Sequence, residues 1–256
     1  MKKIFIIGMG AGNPDYITIQ AVNALNRVDV VFIMDKGAAK AKLIELRKEI
    51  CRRHIKGKNY RFVEADSPAW TRGTVDYRST IADLNRDKRA VFERLISEEM
   101  AEGERGAFLV WGDPTLYDST IRIVAAIARS GRHELDYEVI PGISSVQALA
   151  ATHKTALNRI GRPIEITTGR RIAEGFPGSA DSVVVMLDAG DAYKRFADQD
   201  IDIYWGAYIG TPDEILIAGK LKDVADEIER VRAEARQTNG WIMDSYLMRK
   251  GGDEEI

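Results

Sequence analysis

The stretch Val110-Trp-Gly-Asp-Pro-Thr-Leu-Tyr-Asp-Ser-Thr120 decides the predicted fold. It follows the apolar run Gly106–Val110, which is typical of a buried strand in a parallel sheet. It precedes residues 121–128, whose apolar spacing predicts a helix. The stretch therefore joins the carboxyl end of a strand to a helix, which is where ligands bind in open α/β sheets. The pattern also fits a plain capped turn, because its last three residues are all good helix N-caps.

The chain begins with a βαβ pattern. Lys3–Ile7 predicts a buried strand, Gly8–Pro14 a glycine-rich loop before a helix, and Asp29–Met34 a second strand. The loop matches only part of the dinucleotide fingerprint G-x-G-x-x-G, because Asn13 takes the place of the last glycine. Asp35 keeps an NAD site open as an interpretation, since a ribose-binding acid belongs at the end of the second strand. The longer loop fits better a close backbone approach to another adenosine-like ligand.

A third loop of this kind, Pro141–Ser145, follows a short predicted strand. Its two serines suit either a helix cap or a hydrogen bond to a ligand. The segment Asp66–Arg89 is polar and predicts a long loop or insertion. Further strands are predicted in the C-terminal half at Ile164–Thr168, Ser182–Leu187, Ile203–Ile209 and Trp241–Met248. The sequence thus predicts two α/β domains, residues 1–130 and residues 131–256.

Composition excludes several classes of protein. The 256 residues carry 37 basic and 39 acidic side chains, so the net charge of −2 gives no general attraction to nucleic acid or to an anionic membrane. A single cysteine, Cys51, excludes an internal disulfide framework and fits a reducing cytoplasm. The apolar start is too short for a secretory signal, and no run approaches the ~20 apolar residues that span a bilayer. We therefore expect a cytoplasmic protein.

The residues that support common catalytic chemistries are missing from the sequence. His54, His133 and His153 have no metal-ligand spacing with another histidine or cysteine, so no metal site is predicted. The chain also lacks a G-x-S-x-G elbow and a P-loop lysine, which argues against a hydrolase of that type and a nucleoside triphosphatase. Loops rich in backbone groups at three strand ends suit a cofactor that carries the reactive group itself.

Taken together, three segments resemble the signatures of the tetrapyrrole (corrin/porphyrin) methylase family, in the family's order and spacing. They are Gly8–Thr18, Trp111–Pro114 and Ile140–Ser145, and Gly210–Gly219 resembles the family's late segment. Within the family, the chain resembles the subgroup that methylates C1 of precorrin-5 with loss of acetate in aerobic cobalamin synthesis. An insertion at about residues 52–100 also favours that subgroup. Five further stretches carry this match: Leu25–Asp29, Met34–Gly37, Leu46–Ile50, Tyr60–Glu64 and Phe108–Thr120.

The resemblance implies two α/β domains with S-adenosylmethionine in the cleft between them, S-adenosylhomocysteine as product, and a homodimer. The cofactor contacts that it implies are Gly10, Ala11, Gly12, Trp111, Gly112, Asp113, Leu116, Ser144, Ser145, Leu187, Tyr208 and Gly210. The family commonly has Pro-Gly-Asp where this chain has Ala11-Gly12-Asn13, which leaves the side-chain role at position 13 open.

Removal of an acetyl group needs water to attack its carbonyl carbon, so a base and an oxyanion partner would help. The candidates are Asp35, Tyr117 and Asp118, each of which also fits a cap or a supporting role. The candidates for binding the carboxylates of the substrate are Lys36, Lys40 and Arg122. Three alternatives stay open: another tetrapyrrole C-methyltransferase, a relative acting on RNA or protein with the same cofactor, and a non-catalytic nucleotide-binding module. The near-neutral charge argues against RNA.

Overall fold

The computed structural model describes residues 1–35, 41–57, 59–68 and 77–251, and for residues 77–82 the backbone alone. The chain forms two compact units, Met1–Ser144 and Ser145–Ile256. Each unit contains one five-stranded sheet with helices packed on it. This confirms the predicted pair of α/β domains.

The first unit is built on a parallel sheet. Its strands are β1 (Lys2–Gly8), β2 (Val30–Asp35), β3 (Arg61–Asp66), β4 (Arg105–Val110) and β5 (Leu135–Ile140). They lie in the order β3-β2-β4-β1-β5, and all neighbouring pairs are parallel. In β1, residues 4–7 have no exposed surface. Burial on both faces explains why this strand is a continuous apolar run in the sequence.

Helices cover both faces of this sheet. They are α1 (Ile19–Leu25), α2 (Ala41–His54), α3 (Tyr77–Glu98) and α4 (Thr120–Arg129). Leu25 of α1 and Ile50 of α2 pack on one face, whereas Phe92 of α3 and Val124 of α4 pack on the other. The connections from β1 and β4 therefore leave on opposite faces. The topological switch point of the sheet lies between the carboxyl ends of these two neighbouring strands.

The strand β5 belongs to the first unit. It pairs with β1 from Lys2↔Leu135 to Ile7↔Ile140. The first unit therefore extends to Ser144, beyond the predicted boundary at residue 130. The sheet partner of a short strand is a long-range property that its own residues encode weakly, so a boundary predicted from local patterns falls before β5.

The polar segment Asp66–Arg89 is not simply a long loop, because α3 begins at Tyr77. The side chains that dock α3 on the sheet, Phe92, Leu95 and Ile96, lie in its second half. A helix whose apolar contacts come late has little apolar periodicity at its start, so sequence patterns place the beginning of the helix too late.

The second unit is built on a mixed sheet. Its strands are β6 (Ile164–Thr168), β7 (Ser182–Met186), β8 (Ile201–Ala207), β9 (Ile215–Lys220) and β10 (Asp244–Lys250), in the order β6-β7-β10-β8-β9. The pair β6–β7 is parallel and the other neighbouring pairs are antiparallel. The helices are α5 (Ser145–Thr152), α6 (Gly169–Ile172) and α7 (Leu221–Asn239). Tyr193, Trp205 and Tyr246 form the centre of its core.

Among the described residues, none of the helices combines the length and the apolar composition needed to span a membrane.

Candidate functional site

Three loops of the first unit lie side by side at one edge of its sheet. They follow β4, β1 and β5, which are neighbours in the sheet. Parallel strands end at the same edge, so the loops Gly8–Pro14, Trp111–Pro114 and Pro141–Ser144 meet there. We call these loops the three-loop edge. It lies at the topological switch point, where ligands bind in sheets of this kind.

Backbone hydrogen bonds join the first two loops. Met9 N donates to Val110 O at 2.9 Å, and Gly112 N donates to Gly10 O at 2.9 Å. Gly10 and Gly112 form an isolated antiparallel bridge. Their φ angles of 83° and 65° lie in the left-handed region, which glycine adopts without steric cost. Glycine is therefore the residue that fits both positions without strain, and at Gly10 a Cβ would also lie 2.7 Å from Tyr16 Cβ.

Asp113 ties the third loop to the other two. Its Oδ2 accepts from Gly142 N at 2.8 Å, and its Oδ1 accepts from Thr115 N at 2.8 Å. A Cβ on Gly142 would lie 2.2 Å from the carbonyl oxygen of Gly112, and a Cβ on Gly8 would lie 2.5 Å from Gly142 N. The predicted cofactor residue Asp113 thus has a structural task, which is to hold the loops together.

Trp111 offers an unused hydrogen-bond donor at the three-loop edge. Its Nε1 is buried and has no hydrogen-bond partner among the residues that the structure describes. An unpaired buried donor costs about 1–3 kcal/mol, so such a group needs an acceptor from a ligand or from water. Ala11, in the neighbouring loop, is 1% exposed, and Leu116 is partly buried. These residues fit the predicted cofactor contact.

Asn13 caps the short 3-10 turn Pro14–Tyr16. Its side chain accepts from Asp15 N at 2.9 Å. The residue just before it, Gly12, is buried and has a φ of 105°. Asparagine thus has a side-chain role at position 13, which is to cap this turn.

Ser144 and Ser145 are consecutive but belong to different units. Ser144 is 4% exposed and is the last residue of the first unit. Ser145 is partly buried and is the first residue of α5.

In the second unit, two predicted contacts lie at one edge of the sheet. Leu187 directly follows β7 and Tyr208 directly follows β8. Both strands are antiparallel to β10, which lies between them, and pair with its first residues, Ser245 and Asp244. Gly210 lies two residues further on, where its N donates to the side chain of Glu214 at 2.7 Å. The second unit therefore brings Leu187 and Tyr208 to the same sheet edge.

Both of these residues, and Tyr117 of the first unit, adopt the left-handed conformation. The φ angles of Leu187, Tyr208 and Tyr117 are 54°, 49° and 52°. Lys154 and Asp191 are the two other described residues of this kind besides glycines. Such a conformation stores about 1–3 kcal/mol and concentrates at functional sites. Three of the five described non-glycine residues with this conformation therefore lie at predicted site positions.

The surroundings hold the two strained residues of the second unit. Tyr208 is buried, and its single hydroxyl proton is shared between two carbonyl acceptors, Ala235 O at 3.2 Å and Trp241 O. Leu187 is 66% exposed, but the next residue, Asp188, is buried. The carboxylate of Asp188 accepts from Ala192 N at 2.7 Å and from the Tyr246 hydroxyl at 2.7 Å. Burial raises the pKa of Tyr246, so its proton stays in this bond.

Arg232, on α7, completes a buried charge network that sequence patterns did not single out. Its Nη2 donates to Asp188 O at 2.5 Å and its Nε donates to Asp244 Oδ2 at 2.8 Å. Its Nη1 forms an ion pair with Asp191 at 3.1 Å. The partners are 12 to 44 positions away along the chain, so no local motif announces them. The network fixes the turn that carries Leu187.

The predicted acid–base residues have unequal surroundings. Asp118 Oδ1 accepts from Thr120 N at 2.6 Å and so caps α4, whereas Ser119 makes no side-chain cap bond. Asp118 Oδ2 has no hydrogen-bond partner among the described residues. Asp35 is the partly buried last residue of β2, and Tyr117 is 47% exposed. Asp118 thus combines a cap with one free carboxylate oxygen.

The predicted substrate residues are only partly covered by the structure. Arg122 is exposed on α4 and forms no ion pair with a described residue. Lys36 and Lys40 lie outside the described residues. Within the described ranges, no group of three or more histidine, cysteine, aspartate and glutamate side chains could hold a metal ion.

Comparison with known proteins identifies the class of protein. The sequence profile of the Tetrapyrrole (Corrin/Porphyrin) Methylases matches residues 3–225. The chain belongs to this family, and the predicted resemblance is confirmed.

Individual relatives narrow the comparison. The chain is 51% identical over 253 residues to the Precorrin-6A synthase (deacetylating) of a Sinorhizobium species, covering 99% of this chain and 97% of the relative. A cobalamin synthesis related protein of Corynebacterium diphtheriae has a similar structure, with a TM-score of 0.84, 33% identity and coverage of 98% and 99%. A Thermus thermophilus uroporphyrin-III C-methyltransferase, solved with S-adenyl homocysteine, shares the fold, with a TM-score of 0.57, 15% identity and coverage of 96% and 92%.

Proposed function

We propose that this protein methylates C1 of precorrin-5 with S-adenosylmethionine and releases the C1 acetyl group as acetate, giving precorrin-6A in cobalamin biosynthesis. The observation that carries the proposal is the 51% identity to a deacetylating precorrin-6A synthase over 99% of the chain. The three-loop edge supports it, because the three predicted signatures meet in one structure at the switch point of the sheet.

The reaction balances as one hydrolysis and one methyl transfer. The oxygen of water bonds to the acetyl carbonyl carbon, and the bond between that carbon and C1 breaks. The acetyl group leaves as acetate, both protons of the water molecule are released, and the electron pair of the broken bond stays on the macrocycle. C1 gains the methyl group as the carbon–sulfur bond of the sulfonium breaks, and S-adenosylhomocysteine is left.

When bound, S-adenosylmethionine supplies an electrophilic methyl group, so the protein needs to provide position rather than a strong acid. The three-loop edge suits this task because its bridge and its Asp113 bonds hold the backbone rigidly. The buried N–H of Trp111 has no partner among the described residues, so a hydrogen bond from it to an oxygen of the cofactor is part of the proposal. Correct alignment of two reactants lowers a barrier by about 7–11 kcal/mol.

The remaining cofactor contacts stay predictions of this proposal. They are Gly10, Ala11, Gly12, Gly112, Leu116, Ser144 and Ser145, with Leu187, Tyr208 and Gly210 from the second unit. The strain at Leu187 and Tyr208 supports a role for these two, since strained residues persist where function requires them.

For the hydrolytic half, Asp118 is the strongest of the three predicted residues. Its free Oδ2 can accept a proton from water while its Oδ1 stays on the helix cap. Asp35 and Tyr117 remain candidates for orienting that water or for stabilising the oxyanion. Homodimer formation and a cytoplasmic location are also part of the proposal, the latter supported by the single, buried cysteine.

The test is mass spectrometry after incubation with S-adenosylmethionine and enzymatically prepared precorrin-5. We expect a product that has gained a methyl group and lost an acetyl group, with one acetate released per turnover. A methylated product that keeps its acetyl group would contradict the deacetylating activity. An unchanged precorrin-5, with S-adenosylhomocysteine still bound by the protein, would move the search to another tetrapyrrole substrate.

A further inference from the structure

The parallel sheet of the first unit opens between two of its strands. β2 and β4 pair from Val30↔Gly106 to Phe32↔Phe108, and both strands continue beyond that point without pairing with each other. A cavity of about 100 Å³ lies at this opening. The described residues that line it all belong to the first unit, and Asp118 is one of them.

An arginine takes the place of the missing strand pairing. Val110 O faces β1, where it accepts from Met9 N. Successive carbonyls of a strand point to opposite sides, so the carbonyl of Leu109 faces the opening. It accepts from Arg47 Nε at 3.3 Å, and Arg47 Nη1 donates to Leu43 O at 2.9 Å. The remaining terminal nitrogen of Arg47, Nη2, has no hydrogen-bond partner among the described residues. Its N–H groups can therefore donate to a ligand in the cavity.

The opposite side of the cavity is aromatic. Phe92 stacks on Phe108 with the ring centroids 4.1 Å apart, and Phe32 stacks on Phe108 at 4.8 Å. All three rings line the cavity. This wall is suited to a methyl or methylene group and cannot supply a hydrogen bond.

The polar side of the cavity favours an anion. Among the described residues that line the cavity, Arg47 and Lys88 are basic and Asp118 is acidic, and the buried guanidinium of Arg47 is the group that would meet an anion. Burial lowers the pKa of Arg47 to about 10, and the nearby Asp118 acts in the opposite direction. Arg47 therefore stays charged at neutral pH although it has lost much of its hydration. A desolvated guanidinium gains most from a carboxylate that can accept two of its N–H groups.

We propose that this cavity is a binding site for a small carboxylate of the size of acetate, with its oxygens on Arg47 and its carbon chain on the phenylalanine wall. A volume of about 100 Å³ corresponds to roughly three water molecules, which suits the four heavy atoms of acetate. Which molecule supplies this carboxylate is inferred from the proposed function. The carboxylate is either the acetate that the reaction releases or an acetate side chain of the tetrapyrrole.

The first test measures binding of ¹³C-labelled acetate to the free protein by nuclear magnetic resonance. We expect saturable binding that Arg47→Met weakens at least about ten-fold, because it removes charge-assisted hydrogen bonds. The acetate affinity of Arg47→Lys should lie between those of the unsubstituted protein and Arg47→Met, since lysine keeps the positive charge but lacks the planar guanidinium that can donate two parallel hydrogen bonds. Trimethylacetate, whose three methyl groups need more room on the phenylalanine wall than the single methyl group of acetate, should compete less well than acetate. Absence of saturable acetate binding, or equal binding by Arg47→Met, would overturn the proposal.

Arg52→Met is the matched control. Arg52 lies on the same helix and is half exposed, and its ion pairs are with Glu45 and Glu49 on the surface. Acetate affinity should not change in this variant, and a loss equal to that of Arg47→Met would contradict the site.

A second variant separates binding from folding. Arg47→Met also removes the partner of Leu109 O, so its unfolding midpoint in urea has to be compared with that of the unsubstituted protein. Lys88→Met leaves the bond to Leu109 in place and removes one positive charge from the cavity wall. It should weaken acetate binding several-fold, and unchanged binding in Lys88→Met together with a misfolded Arg47→Met would overturn the proposal.

Steady-state kinetics distinguishes the two sources. If released acetate occupies the site, added acetate inhibits the reaction, and Arg47→Met relieves the inhibition without raising KM for the tetrapyrrole. If a side chain of the substrate occupies it, Arg47→Met raises that KM. If the protein releases acetate from precorrin-5 but does not bind acetate, the carboxylate site is contradicted and the proposed function is not. If the protein binds acetate but does not convert precorrin-5, the proposed function is contradicted and the carboxylate site is not.

Discussion

The two units hold their strand-end loops in place by different physical means. In the first unit, glycines let the loops approach so closely that backbone groups bond directly, as between Gly10 and Gly112. In the second unit, buried side chains do this work, with Arg232 bonded to Asp188 and Asp244. Left-handed residues other than glycine occur in both units, Tyr117 in the first and Leu187 in the second, but only around Leu187 do the described residues form a buried charge network that supports the turn.

This difference shows which kind of loop support can be recognised in a sequence. A glycine-rich loop after an apolar strand is a local pattern, and its conformational reason is local too. A buried charge network draws on residues far apart in the chain, and it stabilises only as a complete set. Three substitutions test the comparison, from the largest expected effect to the smallest.

Arg232→Met should disrupt the buried charge network of the second unit and lower its free energy of unfolding. It leaves the carboxylate of Asp244, whose pKa burial already raises, without its cation. Removing one partner of a buried ion pair costs about 3–5 kcal/mol. Urea unfolding followed by circular dichroism measures this loss.

Arg230→Met is the control for that substitution. Arg230 lies on the same helix, but its ion pair with Glu234 is exposed on both sides. Its loss should cost less than about 0.5 kcal/mol. Equal effects of the two substitutions would show that the network does not support the second unit.

Gly142→Ala should break the close approach in the first unit. The new Cβ would lie 2.2 Å from Gly112 O, so a backbone segment has to move. Overpacking of this kind costs about 1–3 kcal/mol. Affinity for S-adenosylhomocysteine, measured by calorimetry, should fall together with the unfolding free energy, since the same loops are predicted to hold the cofactor.

The matched substitution in the same unit is Gly57→Ala. A Cβ at Gly57 would meet nothing within 4 Å. An alanine there should leave the protein as stable as before or more stable by about 0.4–1 kcal/mol, through the unfolded chain. A similar loss at both glycines would mean that close approach is not the reason for glycine at position 142.

Leu187→Asn should have the smallest effect on stability of the three substitutions. It tests whether the left-handed conformation of Leu187 serves cofactor binding. Asparagine tolerates the left-handed conformation better than leucine, so stability should rise by up to about 1 kcal/mol. Affinity for S-adenosylhomocysteine should nevertheless fall several-fold, because the predicted apolar contact is lost. Lys154→Asn, at an exposed left-handed residue outside the predicted site, should show the stability change without the loss of affinity. Unchanged affinity in Leu187→Asn would remove Leu187 from the site.

Local patterns predicted much of the fold. Buried strands such as β1 and β4 are continuous apolar runs, because both faces of a parallel sheet are covered. The loops after them were predicted as ligand loops, and the structure brings them together through Asp113. The start of α3 and the assignment of β5 to the first unit were missed, since the polar start of a helix and the partner of a short strand carry little local signal.

The candidate site divides in the same way. The glycines of the three-loop edge and Trp111 could be named from their motifs. Arg47 lies in Leu46–Ile50, one of the stretches that resemble the subgroup, but no local feature gave it a role, and none marks Arg232. Arg47 became distinctive only through the opening between β2 and β4, where its side chain replaces a strand partner. An arginine acquires a special role when it loses its hydration, and hydration is decided by packing.

The sequence by itself determined the fold class, the three loops at strand ends and the family, because these depend on apolar periodicity and on backbone conformations that glycine permits. The tertiary structure alone decided which strands are neighbours, which carboxylates and arginines are buried together, and where the first sheet opens into a cavity. These features depend on contacts between distant parts of the chain, whose energies arise only once packing has removed water from both partners.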